Sequence, residues 1–241
     1  MSESVSSQIL GTQQSPIDII LDTSIYTAFP ESALHVTYKD VDNVSGEFKD
    51  ANFEIDKGIR LTTVFRGKTY RLIKLHFHDA CEHHVDRKAS TSFEIHFLHQ
   101  LEDSDQKLLS DKLAIGAFFQ IKPNRSKVAA RLGFRMISQN LKVQQAQKIS
   151  RKTSRDVACP VLNLENVPLK DFIPDDLSQW FTYEGSLTTY PFTEDVTWLL
   201  IRRAEDVSKA DVDFLIAHGA EQDHRSVQPL NRRFVLRNFE K

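Results

Sequence analysis

Two histidines, His76 and His78, are separated by one residue within an apolar run of strand-forming side chains, LIKLHFH. Successive side chains of a β-strand point to opposite faces, so both imidazoles are expected to leave the same face of a sheet. Imidazole is a common zinc ligand, and two at this spacing can bind one metal ion. An isolated pair of this kind also occurs on ordinary solvated sheet faces, so the neighbouring residues must decide between the two interpretations.

A second strand pattern, SFEIHFLHQ at 92–100, supplies a third histidine and a carboxylate. Alternation places the apolar side chains on one face, and Glu94 and His96 on the other. If this strand pairs with the one that carries His76 and His78, three imidazoles converge and leave a fourth tetrahedral position open, which is typical of a catalytic zinc site. Glu94 could then accept a hydrogen bond from the second ring nitrogen of His96.

Strand patterns rich in β-branched and aromatic residues dominate the rest of the chain. They lie at 33–38, 52–56, 60–65, 69–78, 92–100, 112–121, 195–201 and 232–238. Two segments favour helix, 126–141 and 209–219, and the second ends at Gly219 as a helix C-cap would. No internal repeat, linker or break in composition divides the chain, so we predict one mainly β domain over residues 1–241.

The charge of the chain is distributed unevenly. The 241 residues include 31 Lys and Arg against 33 Asp and Glu, a formal net charge of −2. Ten of the basic residues and none of the acidic ones fall within the segment 122–155, which we interpret as a basic insertion or connection. Such a segment could bind an anionic partner, but solvated charge is the commoner use. Phe134 is the one aromatic residue in it, so nucleic acid is not expected as a partner.

The two cysteines, Cys81 and Cys159, could form at most one disulfide bond, which excludes a disulfide-rich secreted fold and fits a reducing compartment. The N-terminal residues lack the basic and apolar regions of a signal peptide. No stretch approaches the roughly 18 apolar residues of a membrane span. We therefore expect a cytoplasmic location and no membrane partner.

Several motifs along the chain resemble, in their order and spacing, those of the α-class carbonic anhydrases. They are QSPIDI (14–19), HFH (76–78), CEH (81–83), EIHFLH (94–99), GSLTTYP (185–191), VTW (196–198) and RSVQPLN (225–231). The chain is most similar to the bacterial type, with a short N-terminal segment. The resemblance implies a large central twisted, mostly antiparallel β-sheet with a few short peripheral helices, and zinc-dependent interconversion of CO2 and bicarbonate.

The resemblance also implies a role for each motif residue. His76, His78 and His96 would bind Zn2+. Thr188 and Glu82 would be the catalytic pair that orients the hydroxide attacking CO2. Glu94, Lys74 and His83 would surround the ligands, and a backbone carbonyl near Asp223 would accept the hydrogen bond of His78. The substrate pocket would be lined by Leu98, Ala114, Leu187, Thr189, Val196 and Trp198.

Two departures from the family pattern bear on activity. Lys74 stands where the family has a glutamine whose carbonyl oxygen accepts a hydrogen bond from the first ligand, and an ammonium group cannot accept one. We therefore expect that Lys74 swings out and a water molecule substitutes, or that His76 is held less well. Residues 49–52, KDAN, occupy the place of the family's proton-shuttle histidine. Proton export would then depend on buffer or water, and turnover would be slow at low buffer.

Three functions fit these observations. The leading hypothesis is an enzyme, a zinc-dependent carbonate dehydratase acting on CO2 and bicarbonate. The alternative is a carbonic-anhydrase-related binding protein with weak or no hydratase activity, which would use its basic surface at 122–155. Esterase-like hydrolysis of small activated esters would be a side activity of the same site. The sequence predicts no oligomeric state.

Overall fold

A computed structural model describes residues 11–87, 93–102, 111–122, 132–150, 161–209, 212–213 and 224–241, with the backbone alone for Leu132 and residues 143–150. Its strands, in chain order, are β1 (Asp18–Ile19), β2 (Ile25–Tyr26), β3 (Leu34–Val36), β4 (Val44–Lys49), β5 (Asn52–Ile55), β6 (Thr62–Phe65), β7 (Lys68–Phe77), β8 (His84–Val85), β9 (Phe93–Leu101), β10 (Lys112–Lys122), β11 (Leu162–Val167), β12 (Trp180–Gly185), β13 (Val196–Ile201), β14 (Glu205–Ser208) and β15 (Leu236–Arg237). An α-helix, α1 (Leu132–Ser150), connects β10 to β11, and short 3-10 helices lie at Glu31–Ala33 and Leu169–Asp171.

Thirteen of the described strands form one mixed sheet. Its main path is β11-β4-β5-β7-β9-β10-β13-β12-β15-β2, with β3 joined through β6 to β7, and β14 joined to β10. Most pairings are antiparallel, but β13 and β14 run parallel to β10. Strands β1 and β8 form a separate two-stranded parallel sheet. The predicted mainly β fold with a large, mostly antiparallel central sheet is therefore confirmed.

Each predicted strand segment contains a strand of the structure, although the last, 232–238, forms one only over Leu236–Arg237. The strands at the centre of the sheet match best. Strand β7 occupies Lys68–Phe77 where 69–78 was expected, and β9 occupies Phe93–Leu101 where 92–100 was expected. These two strands carry His76 and His96, and His78 directly follows the first of them.

The described part of the segment predicted as helix at 126–141 is helical, and the helix extends beyond the predicted C-terminal end. It continues past residue 141 to Ser150, because residues 142–150 are mostly good helix formers that lack the apolar spacing on which the prediction depended. Residues 126–131 lie outside the described ranges, as does most of the helix predicted at 209–219. No helix in the described part of the chain is long and apolar enough to cross a membrane.

The side chains of α1 that face the sheet belong to the core. Phe134, Ile137 and Leu141 are buried. The ring of Phe134 packs against Phe119 and Phe172, with centroids 5.4 and 4.8 Å away. Phe134 is therefore not available to stack on nucleic-acid bases. The helix contributes packing, and any use of its charged surface stays a prediction.

Two apolar clusters lie on opposite faces of the central sheet, and alternate residues of one strand enter each of them. In β10, Ile115 and Phe119 belong to the larger cluster, whereas Ala114 and Phe118 belong to the smaller one. Trp198 also lies in the smaller cluster. The three histidines lie on the face of this smaller cluster.

A shift of register at Ile73 determines which face those histidines occupy. The pairing of β7 with β9 gains one residue there, as in a β-bulge. Before the shift Tyr70 and Leu72 are buried in the larger cluster, and after it Leu75 and Phe77 are. Strict alternation would have sent the even-numbered side chains, the histidines among them, into that apolar core. The extra residue therefore turns the histidines of β7 to the other face.

Candidate active site

Strands β7 and β9 bring the three predicted ligands together. His76 lies directly opposite His96 in the register of the two strands. His78 follows the end of β7, and its backbone N–H donates to the carbonyl of Glu94 at 3.0 Å. The ring centroid of His78 is 4.4 Å from that of His76 and 4.4 Å from that of His96. All three histidines are buried.

Nitrogen atoms of His78 and His96 have the spacing of two ligands on one metal ion. Nε2 of His78 lies 3.0 Å from Nδ1 of His96. Two nitrogen ligands bonded to a tetrahedral zinc ion at about 2.0–2.1 Å are about 3.3 Å apart, which is close to the distance found. His76 turns its Nδ1 to Asn52, so its Nε2, a buried atom, is the one left for a metal. The donor set therefore fits zinc.

Glu94 is fully buried and fixes the orientation of His96. Its Oε2 accepts the backbone N–H groups of Glu82 and His83, at 3.0 and 2.9 Å. Its Oε1 lies 2.8 Å from Nδ1 of His83 and 2.8 Å from Nε2 of His96. Burial by itself would raise the pKa of Glu94, but His83 and His96 outweigh it and hold that pKa well below its ordinary range. The ionised carboxylate accepts the Nε2–H of His96, which leaves Nδ1 as the ligand atom.

Burial also keeps His96 in the form that a metal requires. Desolvation lowers the pKa of His96, although Glu94 acts in the opposite direction. The ring is therefore neutral near pH 7, and a neutral imidazole is the state in which histidine binds zinc.

A hydrogen-bond network leads from Glu94 to the N-terminal motif. Nε2 of His83 lies 2.7 Å from the Tyr183 hydroxyl, which lies 2.8 Å from Oγ of Ser15. Oγ of Ser15 in turn accepts the backbone N–H of Ser186 at 3.1 Å. His83 thus links the carboxylate beside the ligands to strand β12. Tyr183 was not predicted as part of the site, because nothing in its local sequence points across the sheet.

The acceptor for His76 comes from a neighbouring strand. Asn52, which pairs with His76 between β5 and β7, places its Oδ1 2.9 Å from Nδ1 of His76. The same oxygen accepts the ammonium group of Lys74 at 2.8 Å. Lys74 does not swing out, since it stays beside the ligand and a side-chain oxygen serves as acceptor; a weaker hold on His76 stays a prediction. Asn52 lies in the segment KDAN, which sequence reasoning treated only as the place of a missing histidine.

Glu82 lies closer to the ligands than the family resemblance implies. Its Oε2 is 3.3 Å from Nε2 of His78 and 3.8 Å from Nδ1 of His96, so these three residues could also hold a metal ion. Its Oε1 accepts the backbone N–H of Arg225 at 2.7 Å. Thr188 is buried in the turn that follows β12, and its predicted hydrogen bond to Glu82 stays a prediction.

A comparison over the whole chain decides the family. The family described as eukaryotic-type carbonic anhydrase matches residues 2–239. The chain belongs to this family. The resemblance carried by the sequence motifs is thereby confirmed, and the protein is a carbonic anhydrase, a lyase of a family that hydrates CO2.

The relatives of this carbonic anhydrase come from plants, animals and bacteria. It is 29% identical over 236 residues to alpha carbonic anhydrase 3 of Arabidopsis thaliana, which covers 95% of this chain and 75% of the relative. It is 30% identical over 261 residues to carbonic anhydrase 1 of Oryctolagus cuniculus, and this match covers 95% of this chain and 100% of the relative. It is 26% identical over 237 residues to a carbonic anhydrase of Nostoc sp., and this match covers 94% of this chain and 76% of the relative.

The predicted substrate pocket of the carbonic anhydrase coincides with the smaller apolar cluster. Five of its predicted residues belong to that cluster or pack against it: Leu98, Ala114, Leu187, Val196 and Trp198. The ring of Trp198 is 4.7 Å from that of His96, and Thr189 lies half-buried in the turn after β12. These residues form an apolar wall beside the ligands, and their contact with CO2 stays a prediction.

Arg225 connects two of the family motifs. Its guanidinium donates to Oε1 of Gln14 at 2.8 Å and to the carbonyl of Ser15 at 2.7 Å. The same group lies 3.9 Å from the ring centroid of Phe192, in the turn after β12. Because its backbone N–H also holds Glu82, Arg225 ties the N-terminal motif and this turn to a carboxylate of the site.

Some predicted features lie outside the described residues. They are the carbonyl near Asp223 expected to accept from His78, the second cysteine Cys159, and much of the basic segment 122–155. Cys81 is buried, which agrees with its prediction as a small buried residue.

Proposed function

We propose that this carbonic anhydrase hydrates CO2 to bicarbonate and a proton with a zinc ion bound by His76, His78 and His96. The convergence of three buried imidazoles from two paired strands carries the proposal. When bound, zinc would lower the pKa of a water molecule to about 7, which is a general value for this family.

The residues around the ligands orient them and the attacking water. Glu94 and Asn52 accept hydrogen bonds from the second ring nitrogens of His96 and His76, so the ligand atoms keep their lone pairs toward the metal position. Glu82 as a carboxylate can only accept a hydrogen bond. In the proposal the Thr188 hydroxyl donates to Glu82 and accepts from the attacking group, which fixes the lone pair that faces CO2.

The apolar wall supplies a place for a non-polar substrate. Leu98, Val196 and Trp198 present hydrocarbon and aromatic surface beside the ligands. CO2 carries no charge and accepts hydrogen bonds weakly, so such a surface can hold it without competing for the metal position. The same surface excludes water from the side on which the carbon atom is attacked.

Proton export is proposed to rely on buffer and solvent. The turn between β4 and β5 carries Lys49 and Asp50 where the family places its shuttle histidine. Neither side chain is an imidazole, the group that exchanges protons most readily near neutral pH. We therefore propose slower turnover at low buffer. The cytoplasmic location expected from the sequence stays a prediction.

Zinc content and CO2 hydration, measured together, test the proposal. Elemental analysis of the purified chain should give one zinc ion per molecule, and stopped-flow assays should give hydration well above the uncatalysed rate. His96→Ala should lose both zinc and hydration, whereas His35→Ala, at an exposed histidine on β3, should lose neither. Stoichiometric zinc without hydration in the unmodified chain would sink the proposal and favour the related binding protein.

A further inference from the structure

We infer that Asn52 is the residue that positions the zinc ligand His76 in this chain, and that Lys74 holds Asn52 in place. The inference rests on the proposed zinc site. It assigns to the first residue of β5 a task that the family pattern places on β7, two residues before the ligand.

The orientation of the Asn52 amide follows from its hydrogen bonds. Its Nδ2 donates to the backbone carbonyl of Asp50 at 2.8 Å. Its Oδ1 therefore faces the other way, toward Nδ1 of His76 at 2.9 Å and Nζ of Lys74 at 2.8 Å. A carbonyl oxygen has two lone pairs and can accept from both groups at once. Reversal of the amide would set its NH2 group against the ammonium of Lys74, and its oxygen against the carbonyl of Asp50.

This orientation determines which nitrogen of His76 can bind a metal. Oδ1 of Asn52 can only accept, so Nδ1 of His76 carries the proton. The lone pair then lies on Nε2, the buried atom of the ring. An acceptor on the second ring nitrogen fixes both the tautomer and the rotation of a ligand histidine.

The turn before Asn52 is anchored to the strand that carries His76. Asp50 and Ala51 both have positive φ, 47° and 59°, as in the two-residue hairpin turn that joins Lys49 to Asn52. The carbonyl of Ala51 accepts the backbone N–H of Phe77 at 2.9 Å. The position of Asn52 relative to β7 is therefore set by this backbone hydrogen bond and by the pairing of β5 with β7.

Lys74 is compatible with the site because Asn52 separates its charge from the ligand ring. The ammonium group donates to the same oxygen as His76, in a hydrogen bond that its charge strengthens. Lys74 and Asn52 thus act as a pair. A glutamine at position 74 would supply an acceptor directly. Either Asn52 or a glutamine at position 74 is therefore enough to orient His76, but a chain that lacks both acceptors cannot orient it.

Four forms of the chain test this inference: the unmodified protein, Asn52→Ala, the double variant Asn52→Ala with Lys74→Gln, and Asn163→Ala. Asn163 is an exposed asparagine on β11 of the same sheet, so its variant makes the same truncation away from the site. Zinc dissociation constants are measured by competition with a chelator. The visible absorption spectrum of each Co2+-loaded form reports on the geometry of the metal site. The melting temperature of each metal-free form reports on the fold.

Asn52→Ala should weaken zinc binding by about 10–100-fold and change the Co2+ absorption spectrum. Restoring an acceptor with Lys74→Gln should recover both, and Asn163→Ala should match the unmodified chain. If Asn52→Ala binds zinc and Co2+ as the unmodified chain does, this inference is wrong while the proposed function stands. If Asn52→Ala lowers the metal-free melting temperature and Lys74→Gln restores nothing, the role is structural and the inference is also wrong. If the unmodified chain binds no zinc, the proposed function itself fails.

Discussion

The carboxylate of Glu94 lies against the backbone of Gly116, where a methyl group on residue 116 would come within 2.9 Å of Oε1. Gly116 pairs with His96 between β10 and β9. The same methyl group would lie 2.5 Å from Cδ2 of Leu200. Glu94 cannot retreat, because the backbone N–H groups of residues 82 and 83 hold its other oxygen. The absence of a side chain at 116 therefore leaves the space that the carboxylate occupies.

Gly116→Ala should consequently damage both the fold and the metal site. Overpacking of a filled interior costs about 1–3 kcal/mol, and a displaced Glu94 would weaken zinc binding by about 10-fold or more. Urea unfolding and chelator competition measure the two effects. Gly58→Ala is the matched control, since a methyl group there meets nothing within 4 Å, and its stability should stay within about 0.5 kcal/mol. Equal behaviour of the two variants would show that the space beside Glu94 is not tight.

Glu82→Gln should separate the two uses open to that carboxylate. If Glu82 orients a hydroxyl group, as we propose for Thr188, the amide loses one acceptor and hydration falls by about 10–100-fold while zinc affinity is kept. We expect this result, because Oε1 is already engaged by the backbone N–H of Arg225. Glu54→Gln, at an exposed glutamate of β5, should change neither property. A parallel loss of zinc and activity would instead make Glu82 a ligand.

The local part of the site could be predicted from the sequence. Alternation within β9 is a property of one strand, so the faces of Glu94 and His96 follow from their positions alone. The pairing of β9 with β7 is only a condition of that prediction, because many strands of the chain have an apolar face and such a face does not select a neighbour. The three histidines come together because the two strands pair and because the register shift turns His76 and His78 to the face of His96.

The parts that depend on contacts between distant strands could not be predicted. The register shift at Ile73 exists only in relation to β9, and no turn residue marks it. Asn52 reaches His76 across the sheet, and its contact depends on the hairpin turn before it. Gly116 looks like an ordinary strand glycine until Glu94 is placed beside it. In each case the signal is a distance between strands, which spacing along the chain does not contain.

His99 should make the stability of the metal-free chain depend on pH. Its ring is buried, with Nε2 2.8 Å from the Tyr38 hydroxyl and 3.0 Å from Oγ1 of Thr63, and Nδ1–H donating to the carbonyl of Leu113. Burial lowers the pKa of His99 to about 4, from an ordinary value of 6.5. The unfolded chain therefore takes up a proton near pH 6.5 and the folded chain only near pH 4. The contribution of the neutral His99 ring to the free energy of unfolding is fully present above pH 6.5. It is lost as the pH falls toward 4, by about 3 kcal/mol in all.

Urea unfolding at pH 7 and pH 4.5 measures this loss. The chain contains other buried histidines, so the informative quantity is the difference between the unmodified chain and His99→Gln. The variant should be less stable at pH 7 but should lose about 2–3 kcal/mol less on acidification. His35→Gln, at an exposed position, should keep the full pH dependence. Identical pH dependence for His99→Gln and the unmodified chain would contradict the assignment.

Lys49 offers a place to restore proton transfer. It pairs with Asn52 across the β4–β5 turn and lies on the same sheet face as His76, with half of its side chain exposed. Lys49→His would put an imidazole with a pKa near neutrality at the rim of the site. We expect turnover at low buffer to rise, by up to the roughly 100-fold that proton transfer by a positioned side chain contributes, and imidazole buffer to add little more. In the unmodified chain added imidazole should itself raise turnover. Glu47→His, on the same face two residues farther from the turn, should not raise turnover. Fast, buffer-independent turnover of the unmodified chain would contradict the prediction, because it would show that protons already leave by another route.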